Sequence, residues 1–394
     1  MNAITKMLHY AKKHFIGRED QLAEVRKKAE KLSAGEQEER RTVIFTGERA
    51  IGKSWLLQRL AELLAELGFT VFRVDLKAYA NKPKTDKPDE EVAVANILLD
   101  LHRLWGEKQS PGGASLAELS RNVLEVVRKQ LPEKPLAVCV DHVYESNWNL
   151  LAALEEYVLG PLAIEPRVLI ILAGRGRLYP FKTPELRLKV EPEELVPFSL
   201  DETIEQLTVQ HKAAVPLAEK IHAISGGNPG ANDLLAQHPE APALALDEVL
   251  EGMLDPVPPE QRQKVREYLE ALCVLNAFDE ERIPPMLAIY YNDPETYDNW
   301  KYAQARDARE LLTRWAFARW DADQGGYVLH DMPRRLLEQY LRKAHPNLWC
   351  DLQLAAKQLY NRWVGMYQRN KSRWENEHHY HEDQLQKMSC STTR

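Results

Sequence analysis

The sequence predicts an α/β fold: a parallel sheet with helices on both faces, followed by a helical segment and a smaller module of helices and a hairpin. Three observations carry that prediction. Short apolar runs at 42–46, 136–141 and 168–173, an alternating one at 69–76 and a weaker one at 186–190 are interspersed with helical patterns. Such interspersion places parallel strands in one sheet that is buried on both faces. From about residue 200 the strand-like runs stop. Beyond 256, helices lead to two short runs, 317–321 and 327–330, around Gln324, Gly325 and Gly326, a β-hairpin that would complete a winged helix.

Taken in order, residues 1–14 read as a short N-terminal arm. Phe15, Ile16, Gly17, Arg18 and Glu19 follow, then a helical pattern through about Leu32. After the 42–46 strand a helix is expected over 53–67 and a second strand over 69–76. The Lys-, Pro- and Asp-rich stretch 81–89 reads as an exposed loop. Helices at 90–105 and 115–130 are separated by the turn signal Ser110, Pro111, Gly112, Gly113, and another helix is expected over 148–158. Helices at 201–210, 216–224 and 229–237 come next, the last after Gly226, Gly227 and Asn228. A proline-rich joint at 256–259 marks a boundary, so the expected divisions are a sheet domain over 15–199, a helical lid domain over 200–255 and a winged-helix domain over 256–345. Residues 346–394 read as a C-terminal helix and, from about Asn370, a polar, poorly ordered tail.

At 394 residues the chain has room for two or three cores. A net charge of −7 and a pI near 6.0 argue against a chain-wide nucleic-acid footprint and leave room only for a local basic face. No apolar run reaches the roughly 18 residues of a membrane span, and residues 1–15 lack the long apolar core of a signal peptide. Cys139, Cys273, Cys350 and Cys390 form no C-x-x-C pair, a pattern that fits reduced thiols and a cytoplasmic location. There is no internal repeat of about 20–50 residues.

The stretch Gly47, Glu48, Arg49, Ala50, Ile51, Gly52, Lys53, Ser54 fits G-x-x-x-x-G-K-[ST], with a strand before it and the helix over 53–67, which continues through Trp55, after it. That context makes it a P-loop. Gly47 and Gly52 let successive N–H groups and the helix N-terminus face an anion. Lys53 would reach the terminal phosphates and the Ser54 hydroxyl would hold Mg²⁺, so the sequence predicts a P-loop NTPase that binds ATP and ADP. Asp141, which ends an apolar strand, supplies the acid a P-loop needs for the metal, although a strand-end acid could also cap a turn. His142 stands next to it; an imidazole can act as a base near neutral pH or be inert, and Glu145 lies three residues on, so slow hydrolysis is expected. Arg175 leaves the 168–173 strand where it could meet a γ-phosphate or merely end a strand at the surface, and Arg177 is a less well-placed competitor.

Together these pieces resemble the STAND branch of the AAA+ ATPases, signalling ATPases related to the NB-ARC and NACHT switches. The resemblance spans about residues 10–345. It rests on Phe15–Glu19, the P-loop, the strand ending at Asp141, the Ala173-Gly174-Arg175 exit, Gly226-Gly227-Asn228-Pro229-Gly230 as a glycine–x–proline signature, and Leu329-His330-Asp331 as a variant Met-His-Asp motif. It implies that Ile16 and Gly17 lie beside adenine, that Pro229 contacts the nucleotide from the helical domain, and that His330 approaches the β-phosphate of ADP. Taken alone, Pro229 fits an ordinary helix start and His330 a strand-end histidine. The chain departs from the family at His142, where an acid is usual, and shows no effector domain or long repeat sensor.

The function expected is a regulatory ATPase whose nucleotide state controls domain closure, self-assembly or recruitment of a protein partner. One alternative is a DNA-acting AAA+ ATPase of the initiator or loader type, using Arg309, Arg314, Arg319, Arg334 and Arg335 of the winged helix; another is a non-hydrolysing scaffold. His378, His379 and His381, beside Glu377 and Glu382, lack a metal-binding spacing and read as part of a solvated tail. The nine tryptophans, Trp300, Trp315 and Trp320 among them, read as packing.

Overall fold

Five parallel strands carry the first half of the computed structural model: β1 (Thr42–Thr46), β2 (Thr70–Asp75), β3 (Leu136–Asp141), β4 (Val168–Ala173) and β5 (Pro192–Glu194), in the order β2-β3-β4-β1-β5. The structure describes residues 10–36, 38–80, 89–105, 115–144, 146–175, 178–187, 192–238, 242–254, 257–293 and 302–388. The described residues divide into two units, one running to Val196 and the other starting at Pro197.

Alternation along the strands sends successive side chains to opposite faces. Ile44, Val138, Val140, Ile170 and Leu172 pack with helices Asp89–Arg103 and Leu116–Gln130 and with Trp148–Leu154, which continues through a wider π-turn at Glu155–Leu159 into Gly160–Ala163. Val43, Phe45, Cys139, Ile171 and Ala173 face the other way, onto α1 (Glu19–Ser33) and α2 (Lys53–Glu66). Both faces are therefore dry. Burial pushes the Cys139 thiol up to about 12 and leaves it a packing residue.

The fifth strand, expected at 186–190, lies elsewhere. Leu186 is buried in a single helical turn, Pro184–Arg187, residues 188–190 lie outside the described residues, and β1 pairs instead with Pro192–Glu194. A Pro-Glu-Glu strand has no apolar pattern, and its proline is tolerated because β5 lies at the sheet edge. Residues 81–88 of the loop expected at 81–89, whose last residue, Asp89, instead begins a helix, the turn at 110–113, Glu145, Arg177, the residue pair 255–256, Trp300 and Cys390 also lie outside the described residues.

The second unit opens with Leu200–His211, started by a capping box in which Ser199 and Glu202 satisfy each other's backbone N–H. Val215–Ser225, Pro229–Ala236 and Pro242–Leu254 complete a helical lid. Helices Pro259–Leu272, Ile283–Tyr290 and Tyr302–Arg314 then lead into an antiparallel hairpin, β6 (Ala318–Asp321) and β7 (Gly326–Leu329). Phe278 bridges to Tyr327 at the edge of that hairpin, which completes the winged helix. Leu235, Leu250, Leu272, Leu312, Leu336 and Trp349 belong to one continuous core.

The polar tail expected from Asn370 is instead a helix, Lys371–Lys387, packed antiparallel to Pro346–Met366. Trp374, Glu377, His381 and Leu385 recur three or four residues apart and are buried. His381 stacks on Tyr360 (ring centroids 5.5 Å apart) and its Nδ1 lies 2.6 Å from Gln353 Oε1, while Glu377 accepts from Asn276 at 2.8 Å. His381 is thus a core residue. His378, His379 and Glu382 lie together on the outer side, where Glu382 is already held by Lys357 at 2.7 Å. Cys139 and Cys273 are buried free thiols.

Candidate functional site

The candidate site is the carboxyl-terminal edge of the parallel sheet, where ligands of open α/β sheets bind. β4 lies between β1 and β3, so the loop after β1, Arg175 after β4 and Asp141 at the end of β3 leave neighbouring strands in that order. Asp75 ends β2 and is paired in register with Asp141.

The P-loop runs from Gly47 to the start of α2. Gly47 sits at φ +137°, and a Cβ there would lie 3.0 Å from the carbonyl oxygen of Leu195, beside β5. Glycine is therefore required on both conformational and steric grounds. Ala50 adopts φ +60° and Gly52 sets the left-handed start of α2, while the fully buried Ile51 anchors the loop on the α1/α2 face. Lys53 is buried, and its Nζ donates to the carbonyl oxygens of Gly47 (2.9 Å) and Glu48 (2.7 Å). Glu48 and Arg49 are half-buried, and Ser54 is exposed at the first turn of α2. Trp55 meets Tyr10 edge to face at 5.5 Å, and the Tyr10 hydroxyl donates to Glu62 at 2.8 Å, so an N-terminal residue packs against α2 here.

Ile16 is half-buried and Gly17 buried, with Gly17 and Arg18 both left-handed before α1. Arg18, which no motif singled out for a role, is buried, and its guanidinium donates to the Ile51 carbonyl at 3.0 Å. One hydrogen bond thus ties the Phe15–Glu19 segment to the P-loop.

At the far side, Asp141 Oδ1 accepts from the His142 backbone N–H at 2.8 Å. His142 adopts φ +58° and places Nδ1 2.8 Å from Asp75 Oδ1. A carboxylate only accepts, so Nδ1 carries the proton and Nε2 becomes the acceptor of the neutral ring. That hydrogen bond holds the Asp75 carboxyl below the usual carboxylate range, against the opposing effect of burial. The Val143 N–H donates to Ala173 O (3.0 Å) and the Gly174 N–H to Phe45 O (3.2 Å), which locks the exits of β3 and β4 to their neighbours; Arg175 follows directly and is buried. Asp75 is the acid that sequence reasoning missed, because only strand register brings it beside His142.

Pro229 and His330 lie in the second unit. Pro229 is the first residue of its helix, Asn228 accepts from the Ala231 N–H at 3.1 Å, and the Pro229 carbonyl accepts from Gln206 at 2.8 Å. His330 directly precedes the helix Asp331–Ala344, and its backbone N–H donates to Phe317 O at 3.0 Å.

No family model and no curated relative matches the sequence. Among solved structures, a Walker-type ATPase of Pyrococcus abyssi superposes with a TM-score of 0.53 at 16% identity, over 82% of this chain and 95% of that one. Cdc6p of Pyrobaculum aerophilum matches with a TM-score of 0.43 at 13% identity, over 86% and 100%. The Aeropyrum pernix ORC1 protein, solved with DNA, has a TM-score of 0.39 at 13% identity, over 84% and 93%. The likeness to the first is one of fold: this chain has the fold of a Walker-type P-loop ATPase.

Proposed function

We propose that the chain is an ATP/ADP-operated regulatory switch with slow hydrolysis. The observation that carries this reading is the P-loop itself, a strained glycine turn between β1 and α2 with Lys53 held over its mouth by two loop carbonyls. Phosphates compete well for such a lysine, since a charge-assisted hydrogen bond to an anion outweighs one to a neutral carbonyl. Loop amides and the N-terminus of α2 add a second attraction for negative charge.

Roles follow from position. Lys53 and the loop from Gly47 to Trp55 bind the phosphates, Ile16 and Gly17 border the base, and Arg175 meets the terminal phosphate. An exposed hydroxyl and a strand-end carboxylate are hard oxygen donors of the kind Mg²⁺ takes, so Ser54 and Asp141 would hold it, and the ion would neutralise phosphate charge when bound. His142, oriented by Asp75, has an Nε2 able to accept a proton from water. It replaces a carboxylate, hence the slow turnover. Within the second unit, Pro229 and His330 are the residues that would report the nucleotide state, and the output would be self-assembly or capture of a protein partner. The DNA-acting alternative draws less support, because Arg309 is paired with Glu280 (2.9 Å) and Arg334 with Glu338 (3.2 Å).

Calorimetric titration with ATP and with ADP tests the binding step. Lys53→Ala should weaken both nucleotides by at least about tenfold, the scale of one lost charge-assisted hydrogen bond. Equal affinity in wild type and variant would remove the P-loop from the site.

A further inference from the structure

We infer that His378, His379 and Glu382 form a site for a divalent transition ion of the Zn²⁺ class on the outer side of the last helix, Lys371–Lys387. One nitrogen from each imidazole and one carboxylate oxygen already lie within 4.8 Å of one another. Donors around a tetrahedral Zn²⁺, each about 2.0–2.1 Å from the ion, lie roughly 3.3 Å apart. Rotation about side-chain torsions spans that difference.

Helical winding brings the three together, although in sequence they match no familiar ligand spacing. Successive residues on a helix turn by about 100°, so Glu382 stands one turn beyond the histidines and at about 40° from His378, between it and His379. Neighbouring side chains on a helix ordinarily diverge. These two rings instead meet edge to face, with centroids 5.6 Å apart. His381 takes no part, because it is buried with Nδ1 on Gln353. Burial of Trp374, His381 and Leu385 against Pro346–Met366 fixes the helix, so the three donors project from a rigid element.

The donors are available. Among the described residues neither His378 nor His379 makes a hydrogen bond or an ion pair; the one is half-buried and the other exposed, so an ion reaches them from solvent. Glu382 accepts from Lys357 through Oε1 at 2.7 Å, which holds its carboxyl below the usual carboxylate range and leaves its second oxygen to ligate. The Lys357 ammonium opposes the ion, but at a surface where water weakens the repulsion. Two imidazole nitrogens and one carboxylate oxygen suit Zn²⁺ and its neighbours, whereas Mg²⁺ and Ca²⁺ take oxygen donors. Three protein donors leave a fourth position for water.

Zn²⁺ is the probe, titrated into the untagged full chain against a chromogenic zinc indicator, with excess Mg²⁺ present to suppress uptake at oxygen-only sites. One saturable equivalent is expected. His379→Ala, at an exposed position, should weaken it at least tenfold, as should Glu382→Gln; His378→Ala gives a third variant should either lose its fold by circular dichroism. Ser54→Ala should leave zinc uptake unchanged, which separates this site from the P-loop. Co²⁺ in place of Zn²⁺ should give a visible absorption band that each histidine variant removes. The proposal is overturned by the absence of saturation, by uptake that survives both histidine variants, or by uptake lost only with Ser54→Ala. Failure here leaves the nucleotide reading untouched, and failure of that reading leaves this site untouched.

Discussion

Gly227 shows how much a single residue can decide. It sits at φ +83°, and a Cβ on it would lie 2.0 Å from the carbonyl oxygen of Phe198, whose own N–H donates to Gly227 O at 2.8 Å. Backbone cannot yield as a flexible side chain would, so Gly227→Ala combines strain with overpacking and should cost about 3 kcal/mol. Chemical denaturation of the full chain checks this; a loss under about 1 kcal/mol would show that the Phe198 strand-to-helix joint is soft. Asp75 has a different role, which is to orient a ring. With it removed, His142 keeps its place in the chain but loses its partner. Asp75→Ala should leave ATP affinity intact and slow single-turnover hydrolysis by about tenfold, less than the roughly hundredfold or more of losing the acid–base group itself, since Asp75 only orients the ring. An unchanged rate would mark His142 as a bystander. Neither Asp75 nor Arg18 was legible as functional in the sequence, because each acts through a partner far along the chain: His142, 67 residues on, and Ile51, 33 residues on. The roles proposed for Lys53, Ser54 and Asp141 could be read from the sequence, since they depend on a local strand–loop–helix pattern.

At the scale of elements, β1, β3 and β4 declared themselves through short, continuous apolar runs, as strands buried on both faces do, and the edge strand β2 through alternation. β5 did not, for it has one proline and two glutamates and is held by pairing with β1 and by the hydrogen bond from Gln21 to Glu193. The last helix was hidden for a related reason. Lys371–Lys387 is polar almost throughout, and its buried stripe of Trp374, Glu377, His381 and Leu385 contains only two apolar residues. Burial pushes the His381 pKa down to about 3, with Arg334 and His378 adding to the effect. Its pKa in the folded protein is thus below the unfolded value of about 6.5. The unfolded chain binds the extra proton between those values, so stability is complete above about pH 6.5 and is lost as pH falls toward 3. At pH 5 the loss should be about 2 kcal/mol. Comparing denaturation midpoints at pH 7 and 5 for wild type and His381→Gln should show a smaller acid loss in the variant; equal losses would exclude His381 as the source.

At the scale of the whole molecule, the winged helix was legible from its hairpin turn, and the helical lid from the disappearance of strand patterns. What sequence could not convey is that lid, winged helix and C-terminal hairpin share one continuous core. Long-range packing among helices leaves only a generic apolar stripe in each. A switch of this kind works only if nucleotide state changes the free energy of the second unit by several kcal/mol; reversing a 1:99 population takes about 5.5 kcal/mol. His330 is the residue we assign to sensing ADP there. His330→Ala should speed ADP release and promote assembly, while unchanged release and an unchanged mass in light scattering would assign it to the hairpin end alone.

The central claim is that this chain holds an adenine nucleotide, and the most direct measurement is to denature freshly purified protein and identify what it releases, with its native mass taken in parallel. Near-stoichiometric ADP from a monomer is the predicted result, a switch resting in its closed state. A monomer that releases no nucleotide, and neither takes up nor hydrolyses added ATP, would contradict the account.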